Sequence, residues 1–398
     1  MQIVTPPRPW LVLLGLALGV CVTNGFARFA YGLILPAMKS SQGWSYAEAG
    51  WLNTANALGY VFGSLFTALL IRRVGASRLF SSGVVLTAIC LFATGLDPSF
   101  WAQSLWRILA GVFGAGSFVA GGALAAALFQ DDPKRNALSI AFYFGGGGGL
   151  GIILCGATLP LMLEWMGPTS WPWSWIGIGL ISFAICPLSI WAGEVLRVPT
   201  PGPETRHPVP ARRMLGEFCG YAGFGLGYIV YLTFLALWMK ERDYSVMLIS
   251  GVWVLLGACI TLSPFVWRSI FARYANGVPL AMILTGIAIG SALPIFFPTA
   301  VGVLISAVVF GLSVFMAPGA ITNFTRKNMP QDSWGATISL FTVVFAVSQT
   351  VGPIGAGLIG DSTGDIGDSL LTASALLMLG AALAVTQKPL APSKGRPH

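Results

Sequence analysis

Charge is scarce in this chain: Lys, Arg, Asp and Glu together make up 9% of 398 residues, where soluble proteins carry about a quarter. That scarcity excludes a soluble domain of ordinary size, since the longest clearly polar run is the Pro-rich stretch 197–213. Histidine is rarer still, with only His207 and His398, both outside the apolar runs. Their placement removes Ser-His nucleophilic pairs and the His-Glu-x-x-His zinc motif, so an enzyme is not expected. The six cysteines, Cys21, Cys90, Cys155, Cys186, Cys219 and Cys259, all fall inside apolar runs. They form neither a disulfide framework nor a paired metal motif and read as packing residues; no cofactor and no metal is expected.

What is abundant is apolar surface, at 55% of positions. It divides into twelve segments, near 10–36, 47–71, 79–96, 101–128, 138–163, 172–196, 214–239, 246–267, 277–297, 298–323, 335–360 and 369–387. Most reach the ~20 residues that a helix needs to cross a bilayer. Arg8 ahead of an apolar run resembles a signal peptide, but the run continues to Met38 without a clear small-residue cleavage site, and it reads as a retained first helix.

Assigning the loops alternately to two sides separates the basic residues sharply. One side holds seventeen: Arg8, Arg72, Arg73, Arg78, Lys134, Arg135, Arg197, Arg206, Arg212, Arg213, Arg268, Arg273, Arg326, Lys327, Lys388, Lys394 and Arg396. The other holds Lys39, Lys240 and Arg242, and Arg28 and Arg107 fall within segments. The positive-inside rule then places both ends of the chain in the cytosol, in a multi-pass protein of the cytoplasmic membrane. The net charge of +8 is thereby explained by topology and anionic lipid, so nucleic acid is not an expected partner.

Folding the chain at 199–210 brings its halves into register. Gly25-Phe26 matches Gly223-Phe224, Gly50 matches Gly251, Pro98 and Gly111 match Pro298 and Gly311, and Ala137 matches Ala336. Six crossings per half give both copies the same orientation, a parallel repeat about an axis normal to the membrane. The expected fold is an all-α membrane protein of twelve transmembrane helices in two six-helix bundles. Its units are an N-terminal bundle at 1–196, a cytosolic central loop at 197–213 and a C-terminal bundle at 214–398.

Twelve helices, the 6 + 6 repeat and the cytosolic central loop together resemble the major facilitator superfamily of secondary transporters, across the whole chain. The loop after helix 2, Arg72-Arg73-Val74-Gly75-Ala76-Ser77-Arg78, keeps the glycine and basic character of the superfamily's signature but has Arg72 at its acidic position. Helix 4 keeps Arg-x-x-x-Gly as Arg107 to Gly111. Helix 5 carries the glycines of the antiporter signature, Gly145 to Gly149 with Gly151, and its Gly-Pro stands instead in helix 11 as Gly352-Pro353. The stretch Gly25-Phe26-Ala27-Arg28-Phe29-Ala30-Tyr31-Gly32, then Gly43-Trp44-Ser45 and Asn53-Thr54-Ala55-Asn56, is similar to the YbfB/YjiJ-type subgroup.

The resemblance implies that helices 1, 4, 7 and 10 line a central path. By depth, at ~1.5 Å of rise per residue, Arg28, Asn24, Tyr31, Asn53, Asn56, Tyr60, Arg107, Tyr228, Tyr231 and Gln349 form one candidate polar layer for cargo. An arginine at such depth costs ~2.5 kcal/mol or more unless it meets water or a partner, and no acidic residue lies at its level. The functional reading pairs Arg28 with a carboxylate or phosphate of an anionic cargo; the bland one has the arginines bracing helix carbonyls and Asn side chains. The glycine run of helix 5 reads as close helix packing or a bend, since it lacks the Lys-Ser/Thr of a phosphate loop. Glu217, one turn into helix 7, either pairs with Arg213 or acts as an inner gate or protonation site, and Arg72 and Gly75 are the remaining gating candidates. The expected activity is secondary transport of a small organic anion with a proton or counter-anion, by a monomer in contact with membrane lipid. Proton-coupled efflux of hydrophobic or cationic compounds, or a non-transporting sensor, are the alternatives.

Overall fold

The computed structural model describes residues 8–129, 131–196 and 209–390. Most of the central loop, 197–208, lies outside them, as do both histidines. Among the described residues there is no strand, and twelve helices are long and apolar enough to span a membrane. They are α1 Pro9–Gln42, α2 Tyr46–Val74, α3 Ala76–Thr94, α4 Phe100–Ala127, α5 Lys134–Met166 and α6 Pro168–Val195, followed by α7 Ala211–Lys240, α8 Val246–Arg273, α9 Val278–Phe296, α10 Ala300–Asn328, α11 Gln331–Thr363 and α12 Ile366–Val385. Several run farther than the apolar runs suggest. The first continues through Pro36 to Gln42, because neighbouring helices shield a proline kink in lipid.

The end of the bundle that carries Arg8 and Leu390 is the terminal face, and the opposite end is the distal face. Distal connections are short and sharply capped. Gly43, at a φ of 68°, ends α1, and Ser45 and Glu48 form a reciprocal capping box that starts α2. Gly364, at 79°, ends α11, and the Asp365 carboxylate accepts the Gly367 amide at 2.7 Å to start α12.

α1 and α7 are the most buried helices, in keeping with their place at the centre. Two crossings fix how closely α1 is held. Gly25 meets Gly151 of α5 backbone to backbone, and Gly32 meets the Leu232 carbonyl of α7 so closely that a Cβ would overlap it. The glycine run of α5 packs likewise: Gly147 against Ala17, Gly149 against Gly257 and Thr261 of α8. Its start, Phe142–Gly146, is π-helical, as is Cys21–Phe29 of α1. Such widened turns redirect side chains and recur where helices serve a site.

Hydrogen bonds and ion pairs cross between the first six and the last six helices at the level of Arg28 and between it and the distal face. At that face the Asp361 carboxylate of α11 accepts the Tyr46 and Ala47 amides at 2.8 and 2.9 Å, capping the start of α2 from the other half. The Tyr46 hydroxyl donates to Glu241 at 2.9 Å, and the Lys39 ammonium lies 4.2 Å from the Tyr46 ring centre. Partial burial raises the Glu241 carboxyl above its ordinary value, against the opposing Tyr46 hydrogen bond and Lys39 charge.

The Asp361 cap joins the two halves at the distal face. Asp361→Ala removes two charge-assisted bonds at an exposed site, a loss on the order of 1 kcal/mol after solvent screening. That shifts the open-to-closed ratio of the distal face about fivefold. Spin labels at Ser41 and Ser362 should then show a larger long-distance population; an unchanged distribution means the cap does not hold the halves together.

Candidate functional site

Arg28 lies near the end of the π-helical stretch of α1, 6% exposed, at the meeting of the two halves. Its Nη2 donates to the Tyr228 hydroxyl of α7 at 2.6 Å and to Gln349 Oε1 of α11. Tyr228 in turn donates to the same Oε1 at 3.2 Å. Aromatic rings surround the guanidinium, with Tyr60, Tyr228 and Phe29 centred 5.1, 5.9 and 6.0 Å from Cζ. Its Nε and Nη1 have no hydrogen-bond partner among the described residues, and no carboxylate pairs with it. Gln349 Nε2 is likewise a buried donor without an acceptor. Asn24, four residues before Arg28 on α1 and 9% exposed, makes no side-chain hydrogen bond to a described residue. The cluster therefore has donors in excess of acceptors, together with one positive charge.

Arg107 is 1% exposed and has every kind of nitrogen engaged. Nη1 donates to the Ala27 carbonyl at 2.5 Å, Nε to the Leu52 carbonyl at 3.4 Å and Nη2 to Asn53 Oδ1 at 3.3 Å. The ring centres of Tyr31 and Trp175 lie 4.8 and 5.6 Å from its Cζ. Asn53 passes its own amide on to Thr233 of α7, and Asn56 donates to the Arg107 carbonyl at 3.0 Å. The single polar layer inferred from depth thus separates into two clusters on different sides of α1. Asn24, Arg28, Tyr228 and Gln349 face the seam between halves, while Arg107 and Asn56 brace α1, α2 and α4, with Asn53 linking that brace to α7.

Two tyrosines expected in the layer are also committed elsewhere. The Tyr31 hydroxyl donates to the Ala49 carbonyl at 2.7 Å, and the Tyr231 hydroxyl lies 2.6 Å from Ser306 Oγ with its ring stacked on Phe310. Depth along a helix carries no information about its rotation, and rotation decides these partners. Tyr60, which depth also places near the midplane, has the ring nearest to the guanidinium.

Glu217 departs from the pairing expected of it: no ion pair with Arg213 forms. It is 1% exposed, and its Oε2 is buried without a hydrogen-bond partner. It shares one stripe of α7 with Tyr221, Phe224 and Tyr228, at offsets of four, seven and eleven residues, so an acidic side chain does stand inside a span on the helix face that leads to Arg28. Arg72 and Gly75 sit at the terminal-face end of α2, where Gly75 takes a φ of 88° between α2 and α3. Among the described residues no cluster of His, Cys, Asp and Glu could hold a metal.

Twelve spanning helices around a seam-facing arginine define a membrane transporter of the major facilitator type. The profile of the family described as uncharacterised MFS-type transporter YbfB matches residues 20–385, and the chain belongs to that family. A protein of Haemophilus influenzae, provisionally named for metabolite transport, is 28% identical over 158 residues, a match covering 40% of this chain and 38% of that relative. Among solved structures, a bacterial homologue of the human lysosomal transporter Spinster, inward-facing and unoccupied, superposes with a TM-score of 0.71 at 16% identity, covering 96% of this chain and 98% of its own. The nucleoside transporter NupG, as a mutant, gives 0.70 at 13% identity, covering 94% and 98%. At such identities the likeness is one of fold.

Proposed function

We propose that this protein is a secondary transporter of the cytoplasmic membrane, with both ends in the cytosol, that moves a small organic anion by alternating access around Arg28. The observation that carries this reading is the contrast between the two arginines. Each nitrogen of Arg107 has a protein acceptor, whereas Arg28 keeps Nε and Nη1 unengaged beside an orphaned amide donor, Gln349 Nε2. A guanidinium with open donors and no fixed counter-charge can receive a carboxylate oxygen through a charge-assisted hydrogen bond. Asn24 and Tyr228 complete the set. Residues 1–196 and 214–398 would be the two bodies that rock, joined by 197–213, with the distal face closed in the state described. The terminal-face turn at Arg72 and Gly75 would close the other side, and the protein would act as a monomer with no cofactor.

Glu217 supplies the coupling group in this reading, since a buried acid without a cation partner changes charge by exchanging a proton. The charged groups on the elements packed around it are Arg212, Arg213, Arg326, Lys327, Asp332 and Lys388. Lys327 is held by the carbonyls of Phe271, Ala272 and Tyr274, and Arg326 lies over Trp334. The same unpaired acid favours a second reading, proton-driven efflux of hydrophobic or cationic compounds, in which Arg28 would repel rather than attract cargo.

Uptake of a panel of organic acids and organic cations into proteoliposomes, with and without an imposed pH gradient, separates the two. Anion uptake that responds to the gradient, with the response abolished in Glu217→Gln, is the expected result. Cation transport with indifference to every anion would overturn the anion reading.

A further inference from the structure

We infer that the cargo is an aromatic monocarboxylate, a single carboxylate carried on a planar ring; this rests on the anion reading of Arg28 above. Two runs of aromatic rings start on opposite sides of the guanidinium, one in each half. In the first half Tyr60 leads to Phe118, with ring centres 6.4 Å apart, and Phe118 leads to Phe144 and Tyr143 at 4.9 and 6.2 Å. In the second half Tyr228 stacks on Phe224 at 4.5 Å and neighbours Phe345 at 5.7 Å, and both continue to Tyr221 at 5.6 and 5.4 Å.

Helix direction sends both runs the same way. Residues 60 to 74 of α2, 107 to 127 of α4 and the reverse course of α5, α7 and α11 all lead from the level of Arg28 toward the terminal face. Tyr60, Phe118, Phe144 and Phe345 remain partly exposed, whereas Tyr143, Tyr221, Phe224 and Tyr228 are buried, so each run joins open rings to buried ones.

Charge and geometry together select the ligand. One open Arg28 donor, Nε or Nη1, together with the Gln349 Nε2 donor matches a single carboxylate, and neither run of rings adds a second cation. Ring faces carry the negative lobe of the aromatic quadrupole, so they accept an offset-stacked ring and disfavour a second anionic group. A dicarboxylate or a phosphate ester would set its remaining charge against those faces. A polyhydroxylated solute would find too few hydrogen-bonding groups there, since burying a polar group without a partner is unfavourable.

The test uses the purified full chain in proteoliposomes at neutral pH, with benzoate, cyclohexanecarboxylate, lactate and terephthalate as competing or labelled solutes. Benzoate should be taken up with a KM about tenfold below that of cyclohexanecarboxylate, which matches its size without its π system, and terephthalate should be excluded. Phe345→Leu keeps apolar bulk while removing one ring, and it should erase most of the KM advantage of benzoate over cyclohexanecarboxylate. Equal handling of benzoate and cyclohexanecarboxylate, or uptake of lactate or terephthalate in preference, would overturn the aromatic assignment while the anion reading stands. Transport of none of the four by folded protein would remove both.

Discussion

Arg28→Ala is expected to abolish anion uptake while leaving the amount of folded protein unchanged. The variant removes the one charge at the seam that can bind a carboxylate, in a region where water does not screen the pair. Removing a charge-assisted partner there costs about 3 kcal/mol, or roughly a hundredfold in kcat/KM. Stability moves little because the change also takes a buried cation out of the membrane, worth ~2.5 kcal/mol or more on insertion scales. The two groups left behind retain each other, Tyr228 donating to Gln349 at 3.2 Å. Arg28→Lys keeps the charge without the planar fork and should fall between, at about a tenfold loss. Initial rates in proteoliposomes together with thermal unfolding of the same preparations decide the matter. Full-rate uptake by Arg28→Ala would mean that the open donors serve no cargo.

The architecture is legible in the sequence because lipid imposes a one-dimensional code. An apolar run of sufficient length spans, and the distribution of lysine and arginine orients it. Both signals survive without any knowledge of packing. Pro36 illustrates where the code blurs: the first apolar segment reads as ending there, whereas the helix continues to Gln42.

The site is legible only in part. Depth selects Arg28, Tyr228 and Gln349, and these do meet, across 200 and 321 positions of sequence separation. The same criterion selects Arg107, Tyr31 and Tyr231, which are turned to other partners. The difference is rotational, and the π-helical Cys21–Phe29 alters the rotation of α1 at the point where it matters. Nothing in the sequence marks that widened turn beyond Gly25, whose lack of a side chain lets α5 approach. Glu217 is hard to recognise as an interior acid because Arg213, four residues earlier, offers an apparent partner. The short 3-10 turn Ala211–Met214 carries that arginine before the α-helical part of α7 begins at Leu215, and the i, i+4 relation of a continuous α-helix is absent.

Arg107→Ala should show the opposite phenotype, a loss of fold rather than of cargo affinity. The side chain bonds the carbonyls of Ala27 and Leu52 and the Asn53 side chain, so one residue ties α4 to α1 and α2. Truncation leaves two buried carbonyls without these donors and a void between the Tyr31 and Trp175 rings, a combined loss on the order of 3 kcal/mol. Against a typical total of about 5–15 kcal/mol, that is a large fraction, and the yield of monodisperse protein should fall with the melting temperature. Arg107→Lys does not restore it, because a single ammonium cannot reach acceptors on two helices in the geometry that the guanidinium spans. The KM of the surviving Arg107→Ala fraction should match wild type, since every nitrogen of Arg107 already has a protein acceptor and the side chain is 1% exposed. A variant that melts like wild type yet binds anions poorly would place Arg107 on the cargo path and return the two arginines to a single site.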